Sequence, residues 1–311
     1  MKYKIGTRGS KLSLAQTNWV ITELKKVNPD SDFEIKTMKT QGDTDMRPFF
    51  TIDQKGIFEK EIDKAVADKT VDFAIHSLKD VPSKISQNLC LGCIPKRESI
   101  NDIFISRENK TLETIEADSV IGTSSLRRAV QITRIRPDVT VKPIRGNVES
   151  RIRKIHDGEF DAVVLAEAGI NRLGLDVNFS KLSLIDFPSS PGQGALGIVC
   201  RSDDNETKLM LKKIENNDSR LEIEAERTLS SLIESGCRFP VGAFARANTD
   251  NMKLTVVAYS FDGKKSIIVE KSGNKNDPSA LGKIVGEELD KQGVNELALN
   301  WREKVREWNK K

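Results

Sequence analysis

The sequence predicts an α/β protein built around two similar lobes, and two observations carry that prediction. Short apolar strands alternate with amphipathic helices along most of the 311 residues, the pattern of parallel sheets covered by helices on both faces. An internal echo then divides the chain. Lys4-Ile5-Gly6-Thr7-Arg8-Gly9-Ser10-Lys11-Leu12, followed by Gln16, is matched by Val120-Ile121-Gly122-Thr123-Ser124-Ser125-Leu126-Arg127-Arg128, followed by Gln131. Each copy opens a unit about the size of one small domain, so a ligand cleft is expected between the two.

Taken in order, Lys2 to Thr7 reads as the first strand, and Gly6 to Ser10 turns it into a helix from Leu12 to Lys26. Leu12, Ala15, Trp19 and Ile21 to Leu24 form that helix's apolar stripe. Phe33 to Thr40 alternates as a second strand. Residues 44–55 carry no periodicity and read as an exposed loop, after which Gly56 opens a helix from Ile57 to Ala67 with Phe58, Ile62, Ala65 and Val66 inward. Val71 to Ile75 is a short buried strand that ends at His76-Ser77-Leu78-Lys79-Asp80-Val81-Pro82, and Leu89, Leu91 and Cys93 alternate as another. The second unit repeats the scheme, with strands at 103–106, 119–122, 139–143 and 162–166 and helices at 125–135 and 148–157. A Gly-rich segment, Ser189 to Arg201, brings the chain back. An amphipathic helix from Arg220 to Glu234 is stopped by Gly236. Beyond it strands at Leu254–Tyr259 and Ser266–Glu270 mix with helices near Ala280–Lys291 and Asn295–Trp308.

Net charge is only +4 and aromatics make up 5% of the chain, which disfavours a nucleic-acid binder with its broad basic surface and stacking rings. No apolar run of about 18 residues predicts a membrane span, and the N-terminus has no signal-peptide core, so a cytoplasmic protein is expected. Four cysteines, at 90, 93, 200 and 237, do not make a disulfide framework there. Cys90-Leu-Gly-Cys93 has metal-ligand spacing but no second pair, and neither histidine is near it in sequence, so it stays outside the site and no metal is expected.

Cations concentrate between Ile121 and Lys154: Arg127, Arg128, Arg134, Arg136, Arg145, Arg151 and Arg153, with Lys142 and Lys154, against Asp138 and Glu149. Such a run can be a solvated face. Here the cations are mostly Arg, whose planar fork grips carboxylates and phosphates at two points. Small residues that open helices, where anions bind well, stand beside them. Arg8 to Ser10, His76 to Asp80, Thr123 to Arg128 and Arg145 to Asn147 each follow a strand directly. Open α/β sheets bind ligands at the carboxyl ends of their strands, so these groups should converge on a polyanion. With neither a P-loop nor a G-x-G-x-x-G fingerprint, nucleotides are poor candidates. Lys79-Asp80 is either a surface ion pair or a rigidly held carboxylate able to stabilise a passing cation. Cys237, in a glycine-flanked loop before Arg238, is either a small loop residue or a thiolate nucleophile.

The motifs G-T-R-G-S-x-L-x-L-A-Q (6–16), H-S-L-K-D-V-P (76–82), G-T-S-S-L-R-R (122–128), R-G-N-V (145–148), A-G-I-N-R-L-G (168–174), G-Q-G-A-L-G (192–197) and S-G-C-R-F-P-V-G (235–242) resemble the porphobilinogen deaminase family in order and in register. The resemblance implies two lobes like type II periplasmic binding proteins, residues 1–97 with 197–216 and residues 98–196, and a small α/β third domain, 217–311. It implies a transferase of porphyrin and heme biosynthesis that condenses four porphobilinogen molecules head to tail, releases ammonia each time and frees hydroxymethylbilane by hydrolysis. Its dipyrromethane cofactor would be joined by a thioether to Cys237. By position, Asp80 would be catalytic. Lys79, Thr123, Ser124, Ser125, Arg127, Arg128, Arg145 and Gly146 would hold the cofactor, and Arg8, Ser10, Phe58, Arg151, Arg172 and Gln193 the substrate. A monomer without nucleic-acid or membrane partners is expected. Departures from the family pattern are Glu149-Ser150, Ser190-Pro191, Val199, Ser235 and Arg238.

Overall fold

The computed structural model describes residues 1–40, 59–233, 240–297 and 303. Phe58, Cys237, the loop at 44–55 and the departures at Ser235 and Arg238 lie outside the described residues.

The first sheet comes from β1 (Lys2–Arg8), β2 (Asp32–Met38), β3 (Phe73–Ser77), β4 (Leu89–Cys93) and, much later, β10 (Leu196–Arg201). The second comes from β5 (Asp102–Ser106), β6 (Val120–Gly122), β7 (Thr140–Lys142), β8 (Ala162–Ala166) and β9 (Ser180–Lys181). Their orders, β2-β1-β3-β10-β4 and β7-β6-β8-β5-β9, are one scheme written twice: second, first, third, crossing strand, fourth. This is the type II periplasmic-binding-protein arrangement. The sheets are mixed, not parallel throughout as the alternation of helices and strands predicts. β1 runs parallel to β2 and β3, but β10 is antiparallel to β3 and β4, and β5 is antiparallel to β8 and β9. The reason is geometric: each crossing strand arrives from the other lobe, entering at the edge where the parallel strands leave.

The helices are α1 (Lys11–Val27), α2 (Lys60–Ala67), α3 (Leu126–Ile135), α4 (Val148–His156), α5 (Glu167–Leu173), α6 (Asn205–Lys212), α7 (Asn217–Ile233), α8 (Pro278–Lys291) and α9 (Val294–Leu297). The internal echo proves to be a strand, a serine cap and a helix. Ser10 accepts from the backbone N–H of Ser13 at 3.2 Å to start α1, and Ser125 from that of Arg128 at 3.5 Å to start α3. Each sheet buries both faces. In the first, Ile5, Phe73, Ile75 and Ile198 pack with Leu24 of α1, while Ala74 and Val199 pack on the other side with Ile62 and Val66 of α2. Val199, one of the departures, is thus a core residue with no exposed surface.

A third sheet, β11 (Val241–Ala247), β12 (Asn251–Tyr259) and β13 (Ser266–Asn274), is antiparallel and covered by α7 and α8. Its other face presents Val257 and Tyr259 to Val130 of α3, which docks it on the second lobe. Five elements go beyond the sequence reading: α5, α6, β9, β11 and the strand β10, which the sequence shows only as part of a Gly-rich segment. Among the described residues no helix is long and apolar enough to cross a membrane.

Candidate functional site

The chain passes between the lobes twice, through residues 94–101 and 188–195, and the two passes lie against each other. Glu98 N–H donates to the Gly194 carbonyl at 3.1 Å. Gly194 has φ +83°, and a Cβ there would stand 2.4 Å from the Glu98 carbonyl oxygen, so only glycine lets the passes touch. Gly192, at φ +75°, lies against the turn that carries Lys79: a Cβ would stand 3.0 Å from its backbone nitrogen. That turn is a single 3-10 turn, Leu78–Asp80, continuing β3 and fixed by Leu78 N–H donating to the Ala195 carbonyl at 3.0 Å. Apolar Leu78 is buried as its anchor, which leaves Lys79 and Asp80 exposed at the carboxyl end of the strand.

Opposite, β6 runs into Thr123, Ser124 and Ser125. Thr123 is buried, its hydroxyl accepting from Ser125 N–H at 3.2 Å, and Ser124 donates to the Ile144 carbonyl. Ser125 caps α3, so Arg127 and Arg128 sit in that helix's first turn. Both are buried around one carboxylate, Asp102, at the start of β5. Arg127 Nη2 donates to Asp102 Oδ2 at 2.7 Å, and Arg128 Nε and Nη2 donate to Oδ1 at 3.1 and 2.6 Å. Gln193 of the return pass adds Nε2 to Oδ1 at 2.9 Å. Burial alone would raise the Asp102 carboxyl pKa, but Arg127 and Arg128 outweigh it and hold the group well below the usual carboxylate range. Arg127 spends its remaining reach on the Pro188 carbonyl and Gln131. Arg128 also donates to the Val164 carbonyl at 3.0 Å. The structure therefore locks both arginines on Asp102, with Arg128 near enough to act on Lys79 and Arg151, and Arg127 joining α3 to the return pass.

The other cations crowd one another. Burial, then Arg128, pushes the Lys79 ammonium down to about 8 despite the nearby Asp80 and Asp102. Its side chain is open to water, so the shift registers the mass of protein around the cleft and the neighbouring guanidiniums, not closure from solvent. Burial, then Arg128 and Arg145, lowers Arg151 to about 10. Arg145 and Arg151 belong to one turn: Arg151 Nε donates to the Gly146 carbonyl at 2.8 Å, Gly146 has φ +115°, and Asn147 caps α4. Arg8 is half-buried at the end of β1, and Ser10 starts the following helix. Arg172 of α5 is occupied with the return pass, donating to the Gly194 carbonyl at 2.7 Å, and burial lowers it to about 10. Gln193 is buried, its Nε2 held by Asp102 and the Ile100 carbonyl, while its Oε1 accepts no hydrogen bond.

Sequence reasoning missed Asp102 and a second buried acid. Glu226 of α7 takes Arg97 of the outward pass at 2.7 and 3.0 Å, Gly192 N–H of the return pass at 2.7 Å, and Ala245 N–H of β11 at 2.8 Å. One carboxylate thus joins both passes to the third sheet. An acid inside a predicted amphipathic helix reads as surface; its position on the apolar side of α7, between Ile223 and Leu229, was the available signal.

Residues 3–209 match the family model described as porphobilinogen deaminase, dipyromethane cofactor binding domain, and residues 220–291 match porphobilinogen deaminase, C-terminal domain. A probable porphobilinogen deaminase of Nitrosopumilus maritimus (strain SCM1) is 66% identical over 310 residues, covering 100% of both chains. The porphobilinogen deaminase of Brevibacillus brevis (strain 47 / JCM 6285 / NBRC 100599) is 40% identical over 299 residues, covering 95% of this chain and 96% of its own. Two family models in sequence order and relatives aligned end to end lead to one conclusion: the chain belongs to the porphobilinogen deaminase family, enzymes of tetrapyrrole synthesis with a dipyrromethane cofactor.

Proposed function

We propose that the cleft between the lobes is where this chain condenses four porphobilinogen molecules, with Asp80 as its catalytic acid and Cys237 as the anchor of the dipyrromethane. The observation that carries the reading is the set of depressed cations around an exposed carboxylate. Burial and the neighbouring Arg128 lower the proton affinity of both Lys79 and Arg151, which a ligand bearing several carboxylates relieves. A dipyrromethane, with an acetate and a propionate on each ring, fits that donor set. Lys79, Thr123, Ser124, Ser125, Arg128, Arg145 and Gly146 would hold it, with Arg127 acting through Asp102. Arg8, Ser10, Phe58, Arg151, Arg172 and Gln193 would take the incoming substrate. When bound, the cofactor supplies a free pyrrole carbon as the growing end.

The chain's own groups divide the work. Asp80, on a turn fixed from behind by Ala195 and Gly192, keeps a carboxylate where a pyrrole N–H and a developing positive charge can meet it. The cations bind and orient the acidic side chains, and Gln193 offers its unpartnered Oε1 to a donor. Residues 1–97 with 197–216, residues 98–196 and residues 217–311 would be the three domains, in a monomer that works in the cytoplasm on a small molecule, apart from nucleic acid and membrane.

Intact mass after denaturation tests the proposal. The purified protein should be heavier than the bare chain by two linked pyrroles, and Cys237→Ser should return the bare mass. A bare wild-type chain without deaminase activity would leave a carboxylate-binding protein of the same fold.

A further inference from the structure

Three cysteines lie together at the far side of the first sheet, away from the cleft. Cys90 of β4 and Cys200 of β10 are direct partners in the antiparallel ladder, and their sulfurs are 3.8 Å apart. Opposed residues of such a ladder bring their Cα atoms within about 4.5–5.5 Å, inside the span of a disulfide. Closing the sulfurs to bonding distance takes a movement of roughly 1.8 Å, given the ~2.05 Å bond. β4 can supply it: it is an edge strand, paired with β10 alone, and its register already shifts at Ile198/Val199. The packing is shaped for the thiol as well. A Cβ on Gly92 would come within 2.5 Å of Cys200 Sγ, so β4 is cut back where that sulfur sits. Cys93 shares the same core but stands opposite Ile198.

We propose that Cys90 and Cys200 are an oxidative modification site that forms a reversible disulfide between β4 and β10. A peroxide is the oxidant. Cys90, half-buried and within reach of solvent, attacks one peroxide oxygen as the thiolate. The O–O bond breaks, Cys90 becomes a sulfenic acid, and the departing hydroxide takes the proton that Cys90 gave up, leaving as water. The Cys200 sulfur then attacks Cys90 Sγ, the S–O bond breaks, and the leaving hydroxide carries away the Cys200 proton as a second water. Two thiols are oxidised and one peroxide is reduced. Burial, then Cys90, pushes the Cys200 thiol up to about 12, so the second step is slow, while the uncharged product suits its apolar surroundings. The bond has a structural consequence. β4 leads directly into the outward pass and β10 directly out of the return pass, so it would join the first-lobe roots of both, 110 residues apart in sequence. A cross-link closing so long a loop restrains the unfolded chain strongly.

The test treats the holoenzyme with hydrogen peroxide, denatures it in an alkylating reagent and maps the peptides by mass. The expected product joins the Cys90 peptide to the Cys200 peptide, two hydrogens lighter than their sum, and dithiothreitol separates them. Oxidation should raise the thermal midpoint by about 2 °C or more in the wild type and not in Cys90→Ala. Cys200→Ala should also lose the link, and if that buried change prevents folding, the half-exposed Cys90→Ala carries the test. Full alkylation of both sulfurs after peroxide, a sulfinic acid at Cys90 beside an alkylated Cys200, or a link from Cys90 to Cys93 would each overturn the proposal.

Discussion

The two lobes share a strand order and a serine-capped first helix, yet the charges they bring to the cleft are held in different ways. The first contributes Lys79 and Asp80 on an exposed turn whose backbone is held while its side chains are left open. The second contributes Arg127 and Arg128, buried and bonded to Asp102. A charged group with no structural employment is available for chemistry. A charged group locked to a buried partner holds a shape, and its loss is felt first in folding. Under the proposed roles, the same fold separates a reacting half from a holding half.

The sharpest test of that contrast is Asp80→Asn. Turnover should fall by about 10²–10³-fold, the cost of removing a preorganised electrostatic group, with the thermal midpoint unchanged. Near-normal turnover would show that the exposed turn is not the reacting half. Asp102→Asn should do the reverse and destabilise the fold by about 3–5 kcal/mol, because two buried guanidiniums lose their counter-charge. Urea unfolding measures it, and a loss below about 1 kcal/mol would mean that the holding half is misread. The pH dependence follows from the same group. Its folded pKa lies below the unfolded one, so its stabilisation is present above about pH 4 and is lost as pH falls below that.

Lys79 gives a smaller effect of the same sign in a more alkaline window. With a folded pKa of about 8 in the unliganded protein, below the ordinary lysine value of about 10.4, the unfolded chain binds more protons across that window, and stability rises with pH through it. Affinity for a carboxylate ligand should fall as pH passes about 8, and Lys79→Arg should extend binding to higher pH. A titration showing the same pH dependence in both proteins would remove Lys79 from the anion site. The smallest effect belongs to Lys11 and Glu149, which bridge α1 of one lobe to α4 of the other at 2.7 Å with the lysine largely exposed. Glu149→Ala should cost at most about 1 kcal/mol, screened by salt; a larger, salt-insensitive loss would mean that the bridge is shielded.

The sequence reading reached the architecture through periodicity. Phe33 and Ile35 alternate, Ile62, Ala65 and Val66 recur at helical spacing, and the Gly-Thr pair followed closely by a capping serine marks the start of each lobe. It missed α5 because Gly169 and Asn171 dilute a helix of seven residues. It missed β11 because Gly242, Ala243 and Ala245 lack the β-branched bulk of a strand. The gathering of groups at strand ends was legible. The division of labour within it was not, since Arg127 and Arg151 look alike until Asp102, twenty-five positions before Arg127, is folded against one of them. Burial of a charge is a property of the packed chain, and no spacing along it distinguishes a gripping arginine from a braced one.

The contact between Glu98 and Gly194 has a mechanical consequence. Two passes laid side by side give the lobes one shared axle, about which they can turn but not slide apart. Parts close to an axle travel little and parts far from it sweep the widest arc. Lys79, Gln193 and Asp102 lie beside it. A rotation about it would widen the mouth while the groups at the pivot keep their places.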